Sequence, residues 1–266
     1  MVKELAKVIA TVVIAIHGVA PANTAAANTT IVNTTAGESP STVTETKATM
    51  PAFSIAYTVE NDYITGGKAK LTLTPHEDQY QLLLETRPTG VFRLSDKGKI
   101  KEVAMLDTLT PPFLASDYSY TNFGDKKRSY QSVYNRESGK ATITRRGTTE
   151  QFDIDTTAID RISTTLMVMQ QLRDSPQMDG FSIPMIDQNE IQQVEFIARG
   201  QEPLNTRLGK LVTTRVDRKR SGSSRHTVTW FAALGQQGLP VPVQIEHFKR
   251  GKLTVRLKIQ DFSIGE

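Results

Sequence analysis

Besides His17 near the amino terminus, the chain has three histidines for acid–base or metal chemistry: His76, His226 and His247. No H-E-x-x-H, G-x-S-x-G or phosphate-binding glycine loop accompanies them. His226 and His247 fall on successive predicted strands and could approach each other, but histidines at strand ends are ordinarily polar neighbours rather than ligands. The acidic pairs Asp107/Asp117 and Asp153/Asp155 could serve a hydrolase if they were folded together in a cleft. Turn chemistry explains them more simply. The chain has no cysteine, which rules out a disulfide framework, a thiolate zinc site, a cysteine nucleophile and a lipid-modified cysteine anchor. No catalytic residue, metal ligand or cofactor follows from these types and spacings.

Two other groups could bind rather than react. The segment RVDRKRSGSSRH gathers Arg215, Arg218, Lys219, Arg220 and Arg225 around a Ser/Gly turn. Arg218, Lys219, Arg220 and Arg225 are the candidates for contact with a lipid phosphate or anionic polymer; the plainer reading is a solvated hairpin tip whose charges block edge pairing. Nucleic acid is a poor partner, because no aromatic residues are interleaved with the basic ones. The second group is apolar. Leu166 and Met169 on a predicted helix, with Phe53, Tyr57 and Trp230 on strands, are the residues expected to line a space between helix and sheet. Core packing is the commoner use of such side chains. If the space holds a lipid, the emission of Trp230, the single tryptophan, is expected to respond to it, and Met169→Trp to fill it.

These residues must be positioned by a chain of 266 residues, 38% hydrophobic and 23% charged, with net charge +4, enough to bury one sizeable core. Lys3 and Lys7 precede an apolar run over 8–20, and Ala20, Ala22, Ala25 and Ala27 follow. That is a signal-peptide pattern over 1–27, with a mature amino terminus expected between Asn23 and Asn28 and no membrane span after cleavage. Residues 28–50, rich in Thr, Ser and Asn, read as a flexible tether; Asn28 and Asn33 begin N-x-T sequons that matter only in a eukaryotic secretory pathway.

Residues 51–266 read as one β-rich domain. Phe53, Ile55, Tyr57 and Val59 alternate with small or polar residues, Gly66 and Gly67 turn the chain, and Ala69, Leu71 and Leu73 alternate again. Tyr80, Leu82 and Leu84 continue a meander, and further strands are predicted at 90–94, 99–106, 115–120, 129–135, 140–145 and 149–153. One helix is predicted over 159–173, with Ile162, Leu166, Met169 and Leu172 on one face, Asp160 as cap, Arg173 in the last turn and Pro176 beyond it. Strands at 181–186 and 194–198 follow. Three consecutive strands then fill 208–247, with a tip at 218–225 and Val228, Trp230 and Ala232 on one face. Pro240 and Pro242 suit an edge or a strand start. Leu253, Val255, Leu257 and Ile259 alternate in the last strand.

The order of short motifs resembles the bacterial exported family catalogued as domain of unknown function 3108. The resemblance rests on FSIAYTV with the Gly66–Gly67 turn, a D-x-I-S helix start at Asp160 to Ser163, and Leu172-Arg173 at the helix end. Leu208-Gly209, Trp230 and the LPV of Leu239 to Val241 complete it. It covers about 51–265; where the family pattern has proline after the helix-start Asp, this chain has Arg161. The resemblance implies an envelope location and a curved sheet like that of lipoprotein carriers, and no activity.

The expected fold is therefore mainly β: a strongly curved antiparallel sheet or partly closed β-barrel with one central helix on its concave face. The expected function is a noncatalytic periplasmic binding protein for an apolar or lipid ligand or an envelope partner segment. The alternative is a structural interaction module with a filled core, and a hydrolase comes third.

Overall fold

A computed structural model describes residues 49–61, 65–90 and 98–265. The amino-terminal half of the described chain forms β1 (Phe53–Glu60), β2 (Thr65–His76), β3 (Gln79–Pro88), β4 (Ile100–Leu106), β5 (Ala115–Asn122), β6 (Tyr130–Asn135), β7 (Lys140–Arg145) and β8 (Thr148–Asp153). A two-residue strand, β9 (Ile159–Asp160), leads into helix α1 (Thr164–Asp174). There follow β10 (Gly180–Asp187), β11 (Glu190–Thr206), β12 (Gly209–Arg220), β13 (Arg225–Leu234), β14 (Leu239–Lys249) and β15 (Lys252–Ile264).

All fifteen strands join one sheet in the order β8-β7-β6-β5-β4-β3-β2-β1-β15-β14-β13-β12-β11-β10-β9. Two meanders therefore meet where the first strand pairs antiparallel with the last, Phe53 opposite Ile264 and Glu60 opposite Arg256. Each neighbouring pair is antiparallel apart from β9 and β10, where Ile159 and Asp160 run parallel to Met185 and Ile186. The apolar alternation explains which face is covered: Phe53, Ile55, Tyr57 and Val59 are all buried, and the residues between them are half-buried. In β4 the same inward row reads Ile100, Glu102, Ala104, Leu106, so a carboxylate takes a core position.

The sheet is curved and not closed. Laid flat, β4 and β11 would stand about 38 Å apart at the usual strand spacing. Yet Glu102 of β4 and Phe196 of β11 line one hollow. Register shifts at Ala56/Tyr57, Met105/Leu106, Ala198/Gln201, Trp230/Phe231 and His247/Phe248 supply local bends. Gly180 shows how tightly the strands meet: a Cβ there would lie 2.3 Å from the Phe196 carbonyl oxygen.

The structure differs from the sequence expectations in several places. The helix begins at Thr164 rather than 159, because Ile159 and Asp160 are held in the sheet and the Asp160 Oδ1 then accepts the N–H groups of Ile162 and Ser163, each at 3.1 Å. β11 is far longer than 194–198; its outer half, 199–206, is largely exposed and lacks an apolar rhythm. β12 and β13 run deep into the basic tip, because the turn occupies only 221–224. Pro240 and Pro242 do stand at a strand start, where β14 pairs with β13 and meets β15 only from Gln244 onward. Packing begins before Pro51: Met50 is buried and its N–H donates to the Leu109 carbonyl at 3.1 Å. The predicted leader, nearly all of the tether and most of the strand at 90–94 lie outside the described residues.

Candidate functional site

Helix α1 packs against β14, and beside that contact lies a cavity of about 110 Å³. The helix and the turn before it contribute Ile162, Thr164, Thr165 and Val168; the sheet contributes Tyr57, Leu257, Phe196, Val216 and Phe231 among others. Most of the wall is hydrocarbon. Tyr57 is held in place by its hydroxyl, which donates to the Pro242 carbonyl at 2.8 Å, and burial keeps that phenol protonated.

Polar groups enter this wall through Glu102, Arg161, Arg218 and His247. Arg161 is only 3% exposed and Glu102 2%, and they pair at 2.8 Å through Nη2 and Oε2. Arg161 Nε also donates to Oε2 at 3.1 Å, and the Tyr118 hydroxyl donates to the same oxygen at 2.6 Å. Despite burial, which alone would lower it, the pKa of Arg161 stands well above the usual guanidinium value because Glu102 and its other neighbours hold the charge. Its third nitrogen, Nη1, is buried with no hydrogen-bond partner among the described residues.

Arg218 is half-buried on β12, and its side chain makes no hydrogen bond or ion pair with any described residue. Burial and the nearby Arg161 push its pKa down to about 10, so it stays cationic at neutral pH. His247 shares a 2.9 Å hydrogen bond between Nδ1 and the Thr227 hydroxyl. Burial first, then Arg218 and Arg161, push its pKa down from 6.5 to about 3.

That shift carries a stability prediction. Between pH 6.5 and about 3 the unfolded chain binds a proton at His247 that the folded chain refuses. The contribution is full above pH 6.5 and is lost as pH falls, at up to about 1.4 kcal/mol per pH unit. Asp160 and Asp187, whose carboxyls burial raises, act in the opposite sense, so the comparison is made by difference. Urea unfolding of wild type and His247→Gln is expected to show the wild type losing more stability below about pH 6. Parallel profiles from pH 7 to 4 would contradict the assignment.

The predicted site residues are placed as follows. Tyr57 and Arg218 line the cavity. Phe53, Leu166 and Met169 do not; they are fully buried in the hydrophobic core. Trp230 also stands elsewhere, with its Nε1 donating to Glu202 and its ring 5.8 Å from Arg215. The wall of β13 is Thr227, Thr229 and Phe231, the row alternate to the one that carries Trp230. Arg218, Lys219, Arg220 and Arg225 come together around a smaller hollow that shares Arg218 and Thr227 with the cavity.

His226 and His247 are not brought together. Consecutive cross-strand pairs, His226 with Phe248 and Thr227 with His247, put them on opposite faces, and His226 stacks on Phe248 at 4.6 Å. No group of three or more His, Asp or Glu side chains among the described residues is placed to hold a metal. Asp107 accepts from Gln79 at 2.6 Å and Asp117 from Ser116 at 3.0 Å; Asp153 pairs with Lys140, and Asp155 accepts from the Thr157 N–H at 2.8 Å. All four are engaged locally, and none lines the cavity.

The family model described as protein of unknown function (DUF3108) matches residues 52–258. The chain belongs to the DUF3108 family. Among solved structures, this DUF3108 protein is similar to a beta-barrel-like protein of the DUF1849 domain of unknown function from Brucella abortus. The two are 10% identical, the match covers 82% of this chain and 100% of that one, and the TM-score is 0.56. A protein of YmcC-like fold from Bacteroides fragilis is 9% identical over 81% of this chain and 97% of its own, with a TM-score of 0.30. No curated protein matches. The first likeness concerns the fold: a barrel-like curved sheet. Among the described residues no helix is long and apolar enough to cross a membrane.

Glu102 and Tyr118 escaped the sequence reading, which noted Arg161 only as the residue standing where the family pattern has proline. A signal for the first was present, since Glu102 interrupts an otherwise apolar alternating row. Nothing local pointed to its partner, 59 residues away.

Proposed function

We propose that this DUF3108 protein is a noncatalytic, exported protein of the bacterial envelope that holds an apolar segment of a ligand in the cavity beside α1, on the concave side of the sheet. The observation that carries this reading is the cavity itself. Its volume, about 110 Å³, approaches the roughly 150 Å³ of an apolar cavity able to take a benzene-sized molecule, so a short alkyl stretch fits and the rest of a longer ligand would extend outward. Export is supported by the basic head, apolar run and small-residue series of the amino terminus.

The chemistry of the wall favours holding over reacting. His247, with its pKa near 3, is a weak base, and the phenol of Tyr57 is held protonated. Native mass spectrometry of protein purified from its own host tests the reading. The expected result is an apolar small molecule bound one to one and recovered by solvent extraction, on a chain whose mass begins between Asn23 and Asn28. Ligand-free protein in a stoichiometric complex with another protein would instead support an interaction module.

A further inference from the structure

We propose that the ligand of this cavity carries an oxyanion head, a carboxylate or a phosphate, which Arg218 binds with help from Nη1 of Arg161. The inference rests on the binding reading above and specifies its ligand: an anionic single-chain amphiphile.

Two independent observations converge on it. The first is the orphan donor. Arg161 uses Nε and Nη2 on Glu102 and Tyr118, and its buried Nη1 meets no acceptor among the described residues although the residue lines the cavity. Buried donors of charged groups are rarely left unpaired, because the loss of hydration is not recovered elsewhere. The second is Arg218, whose guanidinium has no hydrogen bond or ion pair among the described residues and belongs both to the apolar cavity and to the basic hollow beside it.

The charge count agrees. Arg161, Arg218 and Arg220 face Glu102 and Asp187; Arg161 is neutralised by Glu102, and Arg220 approaches Asp187 at 4.0 Å. Among the described residues Arg218 has no carboxylate paired with it. Lys219 and Arg225 border the same hollow and add positive charge, and the rings of His226 and His247 complete the surroundings. A guanidinium presents a planar fork that matches carboxylate or phosphate oxygens, and it does so most strongly where water is partly excluded. Hydrocarbon walls ending at such a fork fit a molecule with an alkyl tail and an anionic head. A free inorganic anion would leave the walls unused.

Calorimetric titration of the delipidated full chain with decanoate, decyl phosphate, decanol and inorganic phosphate tests this. Decanoate or decyl phosphate is expected to bind at least about tenfold more tightly than decanol, and inorganic phosphate to compete weakly. In Arg218→Met, which keeps an apolar stem, the affinity for the anionic amphiphile should fall to that for decanol, with decanol itself little changed. Equal affinity for decanoate, decyl phosphate and decanol in the wild type would overturn the anionic head and leave the apolar-ligand reading standing. No binding of any amphiphile would remove both. Tight inorganic phosphate binding without a gain from the tail would show an anion site and overturn the amphiphile. The comparison of head groups uses the wild type alone, so it stands even if Arg218→Met fails to fold.

Discussion

Glu102→Gln is expected to lower the stability of the domain by about 3–5 kcal/mol, the usual result of removing one partner of a buried ion pair. One oxygen of Glu102 accepts from Arg161 Nε, Arg161 Nη2 and the Tyr118 hydroxyl at 3.1, 2.8 and 2.6 Å. The amide of Gln accepts fewer of these bonds and carries no charge, so Arg161, which is 3% exposed, is left as an uncompensated cation beside Arg218. Against a typical total of about 5–15 kcal/mol, that loss is large. Urea unfolding measures it. Replacing both partners in Glu102→Leu/Arg161→Met is expected to restore much of the loss, because two desolvated charges give way to hydrocarbon of similar size. A change below about 1 kcal/mol in Glu102→Gln would mean that the pair is not held as described.

The second large effect concerns binding. Thr165 lines the cavity from α1 and is half-buried, so Thr165→Trp has room to swing its indole into the open space. It is expected to weaken amphiphile binding by at least about tenfold while changing stability by no more than about 1 kcal/mol. Met169→Trp is the contrasting variant. Met169 is fully buried and lines no opening, so the larger ring must displace packed neighbours at a cost of about 1–3 kcal/mol. Trp230, engaged with Glu202, should report little of either event, and a ligand-dependent emission change should appear with an indole at position 165. Unimpaired binding in Thr165→Trp would place the ligand elsewhere.

These variants also mark how far the sequence could be read. Local alternation exposed the strands: β7 (Lys140–Arg145) coincides with its predicted range, and the inward row of β1 is the predicted one. Asp160 was visible as a residue that organises the helix start because such bonds are local, but its carboxylate holds the turn at Ile162 and Ser163, and the residue at the helix N-cap is Ser163. What depended on distant pairing was not visible. The β1–β15 seam joins the two ends of the domain, and no local pattern encodes it. Which row of β13 faces the cavity was equally hidden, since Val228, Trp230 and Ala232 were as apolar as any inward row, while the actual wall includes two threonines. The cavity arises where β4 and β11 approach around the curve, and only that approach makes Arg218 a cavity residue as well as part of a basic tip.

A crystal structure of the full chain with decanoate bound tests the central claim most directly. The account predicts alkyl density between Tyr57, Val168 and Phe231, with the carboxylate within hydrogen-bonding distance of the Arg218 guanidinium. Decanoate bound outside the cavity, or a cavity closed by its own side chains with Arg218 turned to solvent, would contradict it.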